Sequence, residues 1–451
     1  IKLKIHKSLK NSILIVMSLI KSYQQNQNSF LPGNNLHIHI LGICGTFMAG
    51  LAGLAIEKGH KVTGQDKAYY PPMSDQLTHL GIEENITEDP IENLKICDAV
   101  IIGNSQSRGN HSVEFTLNNN LNYCSGPEWL KENILKNKFV FVVAGTHGKT
   151  TTTSMLIKIL NDNNCNPSYL VGGIYKEENI SYKYTDSKYF VIEGDEYDTS
   201  FFDKRSKFFH YKPDTLIINN LEYDHSDIFE NLAQIKKQFH YLIRTMSGNT
   251  NIIYHEDDEN VSSLLLMGCW SKKIISRKLI NIANITGNHN LQNASSAISA
   301  AKTIGINESN SILALEKFSG VKRRLELINN KNFILYDDFA HHPTAISATL
   351  HAVKNKHPGK KITTIFEVRS NSMISGTHKD SFYSSFDLTD ELYIYCTKDV
   401  NWLKNSGDFL VYQDISTIID KIYSSTENVD IVILMSNGDT SHIINKLNKY
   451  E

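Results

Sequence analysis

The stretch VVAGTHGKTTTTS, Val142 to Ser154, decides how this chain folds. Its first residues are apolar and mostly β-branched, which suits a buried strand. Gly145 and Gly148 then free the backbone to turn, and Lys149 opens a threonine-rich run that begins a helix. A strand that ends in such a turn and feeds a helix aims several backbone N–H groups, and the positive end of the helix, at one spot. That spot suits phosphate oxygens. The pattern departs from G-x-x-x-x-G-K-[ST], because Val143 stands at the first glycine position. The chemistry survives the change. Gly145, Thr146, His147 and Gly148 supply the cradle, Lys149 reaches the terminal phosphates, Thr150 ligates Mg2+, and Thr151 follows in the first helical turn. The bland alternative is a chance Gly-Lys-Thr at the start of a solvated helix.

Downstream, YFVIEGDEYD and TLIINNLEYDH read as buried strands that end in polar residues. Ligands of open α/β sheets collect at the carboxyl ends of strands. Glu193 and His225 are therefore candidates to share a magnesium ion with Thr150, since Mg2+ binds through few protein ligands and keeps water. Asp195, Glu196 and Asp198 read instead as acids that merely solvate a loop. NLQNASSAISAAKTIG follows as a helix.

Upstream, HIHILGICGTFMAGLAGLAIEKGHKVTGQD runs strand, glycine turn, Ala/Leu-rich helix and second strand, ending at Asp66. That is the βαβ grammar of a Rossmann-like unit. Its glycines, at 42, 45 and 50, are spaced G-x-x-G rather than G-x-G-x-x-G, so a tight turn without a ligand is the alternative. Beyond the centre, FILYDDFAHHPTAISATLHAV, KITTIFEVRS, ELYIYC and DIVILMSNGD place four apolar strands among helix-length segments. The expected fold class is α/β with three domains: Rossmann-like over 37–137, a P-loop unit over 138–320, and a Rossmann-like unit over 321–451.

A chain of 451 residues is too long for one core, in keeping with that division. Lys plus Arg (46) nearly balances Asp plus Glu (48), which argues against nucleic acid as a partner. The six cysteines, Cys44, Cys97, Cys124, Cys165, Cys269 and Cys396, form no C-x-x-C pair and suit the reduced thiols of a cytoplasmic protein. Residues 1–36 stand apart, with a basic start and an apolar run from Ile13 to Ile20 that is too short to span a bilayer. No small-residue cleavage site follows it. The chain begins with Ile rather than Met, and this lead reads as a disordered segment or a translated upstream extension; no stable membrane association is expected.

With these residues together, the chain resembles the Mur ligases, the ATP-dependent amide-forming enzymes of bacterial peptidoglycan synthesis. AGTHGKTTT, GNHNLQNASSA, GVKRRLE and DDFAHHPTA occur in that family's order, and the likeness runs from about His37 to the C-terminus. HILGICGTFMAGLA, YYPPMS, SGPEWL, FFDKRSKFFHY and EVRSNSM are similar to the branch that joins L-alanyl-γ-D-glutamyl-meso-diaminopimelate, the murein tripeptide, to UDP-N-acetylmuramate in peptidoglycan recycling. The resemblance implies a UDP-sugar site in the first domain, with Gly42, Ile43, Cys44, Gly45 and Thr46 near the diphosphate and Asp66 near the uridine. It implies that Lys149 and Thr150 serve ATP and that Glu193 and His225 form a second magnesium site, which makes these four the candidate catalytic residues. It further implies that Asn290 and Asn293 touch the adenine side, that Arg324 and Asp338 reach the nucleotide from the third domain, and that Arg369 and Asn371 meet the peptide. Arg369 has the planar fork that pairs with carboxylates, a surface ion pair being the alternative. The implied reaction activates the muramoyl carboxylate as an acyl phosphate, which the alanyl amine then attacks. His341 and His342 are conceivable general bases, with packed roles as the alternative.

Several features depart from the family pattern. Only residues 272–285 separate CWS (269–271) from TGNHN (286–290), so the central domain is expected to lack some peripheral strands. Val368 stands where relatives suggest proline, and SNGDTSHI breaks a glycine-rich run expected after Asn437. Some Mur ligases carry a carbamylated lysine at the second metal site; the matching helix reads QIKKQFHYL, with Phe239 there, and an unmodified site is expected. The rival within the family is the L-alanine-adding ligase. Outside it stand an NAD(P)-dependent oxidoreductase built on the first glycines and a non-catalytic nucleotide-binding protein. Because Arg324 and Asp338 lie across a domain boundary from Lys149, domain closure is expected.

Overall fold

The computed structural model describes residues 35–67, 69, 71–82, 91–276, 281–404, 410–424 and 429–449; the reading of residues 1–34 lies outside them. Three sheets follow one another along the chain. The first contains β1 (His37–Leu41), β2 (Lys61–Gln65), β3 (Ala99–Ile102) and β4 (Tyr123–Ser125) in the order β2-β1-β3-β4, all parallel. Helix α1 (Thr46–Glu57) crosses between β1 and β2.

The central sheet is built from β5 (Phe139–Ala144), β6 (Ser168–Tyr175), β7 (Ile180–Lys183) and β8 (Tyr189–Glu193). After the small hairpin β9 (Asp198–Ser200) and β10 (Asp203–Ser206), it continues with β11 (Thr215–Ile218), β12 (Asn251–Tyr254) and β13 (Lys272–Ile275). The order is β13-β12-β11-β5-β8-β6-β7, parallel except for the edge pair β6–β7. Its central strands β5, β8 and β11 are apolar on both faces, as a sheet covered by helices on both sides requires. Helices α2 (Lys149–Asp162), α3 (Leu232–Ile243) and α4 (Asn288–Lys302) belong to this unit. Because β5 lies between β11 and β8, the loops after these three strands open side by side at one end of the sheet.

The third sheet takes β14 (Glu326–Asn330), β15 (Ile334–Asp338), β16 (Ile362–Glu367), β17 (Glu391–Tyr395), β18 (Val411–Tyr412) and β19 (Ile431–Met435) in the order β14-β15-β19-β16-β17-β18. Only β14 is antiparallel to its neighbour. Helix α5 (Pro343–Lys356) follows β15.

The sheets are packed together rather than strung out. An ideal Cβ on Gly50 would lie 2.3 Å from Leu170 Cδ1, and one on Gly53 would lie 2.1 Å from Tyr182 Cζ, so α1 rests directly on β6 and β7 of the central sheet. The third glycine of the first motif therefore serves domain packing. Between the second and third units, Tyr175 bridges to Val321 and Lys176 pairs with Glu326 at 3.1 Å. Among the described residues, no helix is long and apolar enough to cross a membrane.

Candidate active site

The loop after β5 has the form its sequence predicts. Gly148, at φ +79°, is the N-cap of α2, and both Thr146 N–H and His147 N–H are held by Asn220, through its carbonyl (3.0 Å) and its side-chain Oδ1 (2.7 Å). Lys149 Nζ donates to Gly145 O (2.7 Å), to Thr146 O (3.3 Å) and to both oxygens of Glu196 (3.1 and 3.0 Å). Burial alone would favour the neutral amine, but Glu196, Glu193 and Asp195 hold this ammonium above its ordinary pKa. Thr151 is buried behind it.

Thr150 donates to Glu193 Oε1 (3.2 Å), and Glu193 Oε2 accepts from Gly172 N–H (2.9 Å). Burial raises the Glu193 pKa despite Lys149 and that N–H, so the carboxylate sits where a cation would relieve it. Hard oxygens from Thr150 and Glu193 fit Mg2+. Gly172 is what makes room, because a Cβ there would lie 2.7 Å from Glu193 Oε2.

Glu196 corrects the sequence reading. Far from solvating a loop, its side chain is 3% exposed and bridges Lys149 to His225, whose Nε2 lies 2.9 Å from Glu196 Oε1. His225 adopts φ +56°, a backbone state that non-glycine residues rarely hold without reason. Burial would lower its pKa, but the hydrogen bond and charge of Glu196 more than reverse that. The three expected metal ligands thus fall in two pairs, Thr150 with Glu193 and His225 with Glu196, and Lys149 is bonded to the second pair. The other two acids are also paired, Asp195 with Lys207 (2.7 Å) and Asp198 with Lys204 (2.6 Å). Phe239 is buried against Phe208, ring centroids 4.8 Å apart, so no lysine reaches the site from that point of α3.

From the third unit, Arg324 Nη2 donates to Thr150 Oγ1 at 3.3 Å. Its neighbours Arg323 and Leu325 both have positive φ, +60° and +51°. The strained turn is held by Asp338, whose Oδ2 accepts from Leu325 N–H and whose Oδ1 accepts from Ala340 N–H (2.8 Å) and Thr349 Oγ1 (3.2 Å). Arg324 also lies over the Phe339 ring, 4.7 Å from its centroid. Asp338 was expected to reach the nucleotide; in the structure both its oxygens accept hydrogen bonds from its own domain, beside the turn that carries Arg324.

Asn293 Nδ2 donates to Asn290 Oδ1 (3.3 Å), and Asn293 Oδ1 accepts from Asn219 Nδ2 (3.3 Å), which also reaches Thr152 Oγ1 (3.0 Å). Asn290 Nδ2 in turn donates to Thr286 O (2.9 Å). Both predicted asparagines thus stand on α4 behind the phosphate loop. The loop after β11 clasps the third unit: Glu222 accepts from Thr344 Oγ1 (2.7 Å), Asp224 from Ser372 Oγ (3.0 Å), and Asp227 from Asn371 Nδ2 (3.3 Å). His147, Glu222 and His342 meet here with ligand atoms within 4.8 Å of one another. Both candidate bases have packed roles. His342 caps α5 by accepting from Thr344 N–H (3.3 Å), and His341 Nδ1 contacts Phe339 O (2.9 Å), with burial taking its pKa down to about 4. Arg369 is half exposed and lies 3.7 Å from Glu367, the geometry of a loose ion pair.

In the first unit, Gly42 N–H and Ile43 N–H both donate to Gln65 O (2.7 and 3.1 Å), and Gly45 caps α1, whose first residue is Thr46. Asp66 accepts from Cys44 N–H (2.8 Å) and lines a cavity of about 460 Å3 with Lys67, Ser105, Gln106, Arg108 and Asn110. The predicted turn and acid therefore meet, but the loop Ser105–Asn110 that completes the pocket escaped sequence reasoning.

A phosphate loop, an acid at the neighbouring strand end and an arginine from the next domain, gathered in one cleft, define a multidomain ATP-dependent enzyme of the amide-ligase kind. The family models match in series: "Mur ligase family, catalytic domain" over residues 37–138, "Mur ligase middle domain" over 143–276, and "Mur ligase, glutamate ligase domain" over 323–438. The chain belongs to the Mur ligase family. A Haemophilus influenzae protein named UDP-N-acetylmuramate–L-alanyl-γ-D-glutamyl-meso-2,6-diaminoheptandioate ligase is 40% identical over 444 residues, which are 91% of this chain and 98% of the relative. The structure of a murein peptide ligase from Psychrobacter arcticus is 37% identical with a TM-score of 0.71, covering 92% of this chain and 98% of that one. A UDP-N-acetylmuramate–L-alanine ligase of Clostridium tetani is 30% identical over 449 residues, 89% of this chain and 95% of the relative.

Proposed function

We propose that the protein joins the murein tripeptide to the carboxylate of UDP-N-acetylmuramate at the expense of ATP, working in the cytoplasm in peptidoglycan recycling. The observation that carries this reading is the meeting of Arg324 with Thr150, itself bonded to Glu193, across the cleft between the central and third units. The greater identity to the tripeptide ligase than to the L-alanine ligase, 40% against 30%, supports the choice of amine. We assign the UDP-sugar to residues 37–137, ATP to 138–320 and the peptide to 321–451 with a share of the central unit.

A carboxylate repels an attacking amine, so the muramoyl carboxylate first takes the terminal phosphoryl group of ATP and becomes an acyl phosphate. The alanyl amine then attacks, and phosphate leaves as the amide forms. Lys149 has donors that transfer from the loop carbonyls to phosphate oxygens, and charge stabilisation of this kind dominates such reactions. Thr150 and Glu193 would hold Mg2+, which supplies Lewis-acid neutralisation of the phosphates. His225 and Glu196 orient Lys149 from the other side. Arg324 adds a positive fork from the third unit.

An ADP-release assay with UDP-N-acetylmuramate compares the tripeptide with L-alanine. Release driven by the tripeptide is expected, and release driven by L-alanine alone would refute the choice. Lys149→Ala should lower ATP-dependent ligation by about 10³-fold; retained ligation would refute the phosphate role.

A further inference from the structure

A second cavity, of about 540 Å3, borders the reaction centre at Glu196. Its lining includes Glu196, the residue that joins Lys149 to His225, together with Lys204, Gln234, Lys237, Gln238 and Tyr241. Lys204 comes from the stretch FFDKRSKFFHY, and Gln234, Lys237, Gln238 and Tyr241 stand on α3. The same two elements are locked together behind the cavity by the Phe208–Phe239 pair and by Ser206 N–H on Gln238 Oε1 (3.4 Å). The aromatic pair thus closes the inner face of α3 and leaves its polar face to the cavity. The lining also includes Ile228, next to Asp227, which Asn371 of the third unit reaches.

Volume and charge indicate what fits. The cavity falls in the range of small-molecule sites, about 300–1,000 Å3, and a lone alanine would leave most of it empty. A γ-linked glutamyl residue keeps its α-carboxylate, and diaminoheptanedioate adds two carboxylates and a free ammonium. Lys237 has no carboxylate partner among the described residues, its contact being the Tyr241 ring, 5.8 Å away. Lys204 is exposed and its partner Asp198 also lines the cavity, so a carboxylate and an ammonium of a ligand can replace each in that pair.

We propose that this cavity receives the γ-glutamyl-diaminoheptanedioate part of the incoming peptide, with Lys204 and Lys237 meeting its carboxylates, while the alanyl amine points past Glu196 to the reaction centre. The inference rests on the tripeptide reading above and gives it a specificity site in the central domain.

Lys204→Glu with Lys237→Glu tests it, both side chains being exposed enough for the protein to fold. In the ADP-release assay, KM for the tripeptide should rise by at least about tenfold, the effect of roughly 1.4 kcal/mol. The values of kcat and of KM for ATP and UDP-N-acetylmuramate should stay within about twofold, and the pair Lys204→Arg with Lys237→Arg should restore the tripeptide KM. An unchanged tripeptide KM, or a rise in the UDP-sugar KM instead, overturns the proposal. A wild-type protein that uses L-alanine and not the tripeptide overturns the functional reading itself, and this is seen before any variant is made.

Discussion

Gly172→Ala isolates the role of Glu193 without touching Glu193. The alanine Cβ would lie 2.7 Å from Oε2 and 2.8 Å from Cδ and Oε1, so the carboxylate must retreat by about 0.7 Å to reach an ordinary 3.4 Å contact. It cannot do so and keep both the Gly172 N–H (2.9 Å) and Thr150 (3.2 Å). Gly172 is not among the residues with positive φ, so alanine fits the backbone, and losing a strand glycine favours the fold by up to about 1 kcal/mol. Stability and activity should therefore separate. A misplacement approaching 1 Å at a reacting centre costs on the order of 10²-fold, about 2.7 kcal/mol. The assay is ADP release at saturating substrates across a Mg2+ titration, beside a thermal melt. The expected result is a Tm no lower than that of the wild type, a rate lower by about 10²-fold and a half-saturating Mg2+ concentration moved upward. A variant with wild-type rate and Mg2+ dependence would refute the idea that Glu193 must stand where Gly172 lets it stand.

Two further outcomes follow from the same geometry. Arg324→Lys keeps the charge but loses the fork that reaches Thr150 while stacking on Phe339; KM for ATP should rise about tenfold with an unchanged melt, and an unaffected KM would remove Arg324 from the nucleotide side. The second concerns acid. His39 is buried and His289 and His341 are half-buried, and loss of hydration lowers each pKa from 6.5 to about 4. The folded protein thus binds fewer protons than the unfolded chain between these values, so their contribution is complete above pH 6.5 and is lost as pH falls towards 4. Each is worth up to about 3 kcal/mol. Melts from pH 8 to 4.5 should be level above about 6.5 and fall below it, less steeply in His341→Asn; a level Tm through that lower range would contradict the burial argument.

The parts legible in the sequence were those governed by neighbours along the chain. Apolar runs gave the strands, and Gly145, Gly148 and Lys149 gave the phosphate loop, because strand, turn and helix follow one another within a few residues. Glu196 escaped because its burial depends on Lys149 and His225, which only the fold brings to it. Nothing in GDEYD distinguishes an acid that meets such partners from one that solvates a loop. Asp338 was implied by the family resemblance alone, yet whether it faces a ligand or its own backbone was decided by the turn at Arg323 and Leu325, which no propensity predicts. One unused signal was available. Gly172 and Gly173 sit side by side inside the strand SYLVGGIY, and paired glycines in a strand mark a close approach, here that of Glu193 and of Thr150, whose Cγ2 would lie 3.3 Å from a Cβ on Gly173. The space at β6 and the charges at β8 are therefore one device. The strand gives up side chains so that a half-buried carboxylate can stand beside the phosphate loop, and Arg324 of the third unit reaches Thr150 from across the cleft.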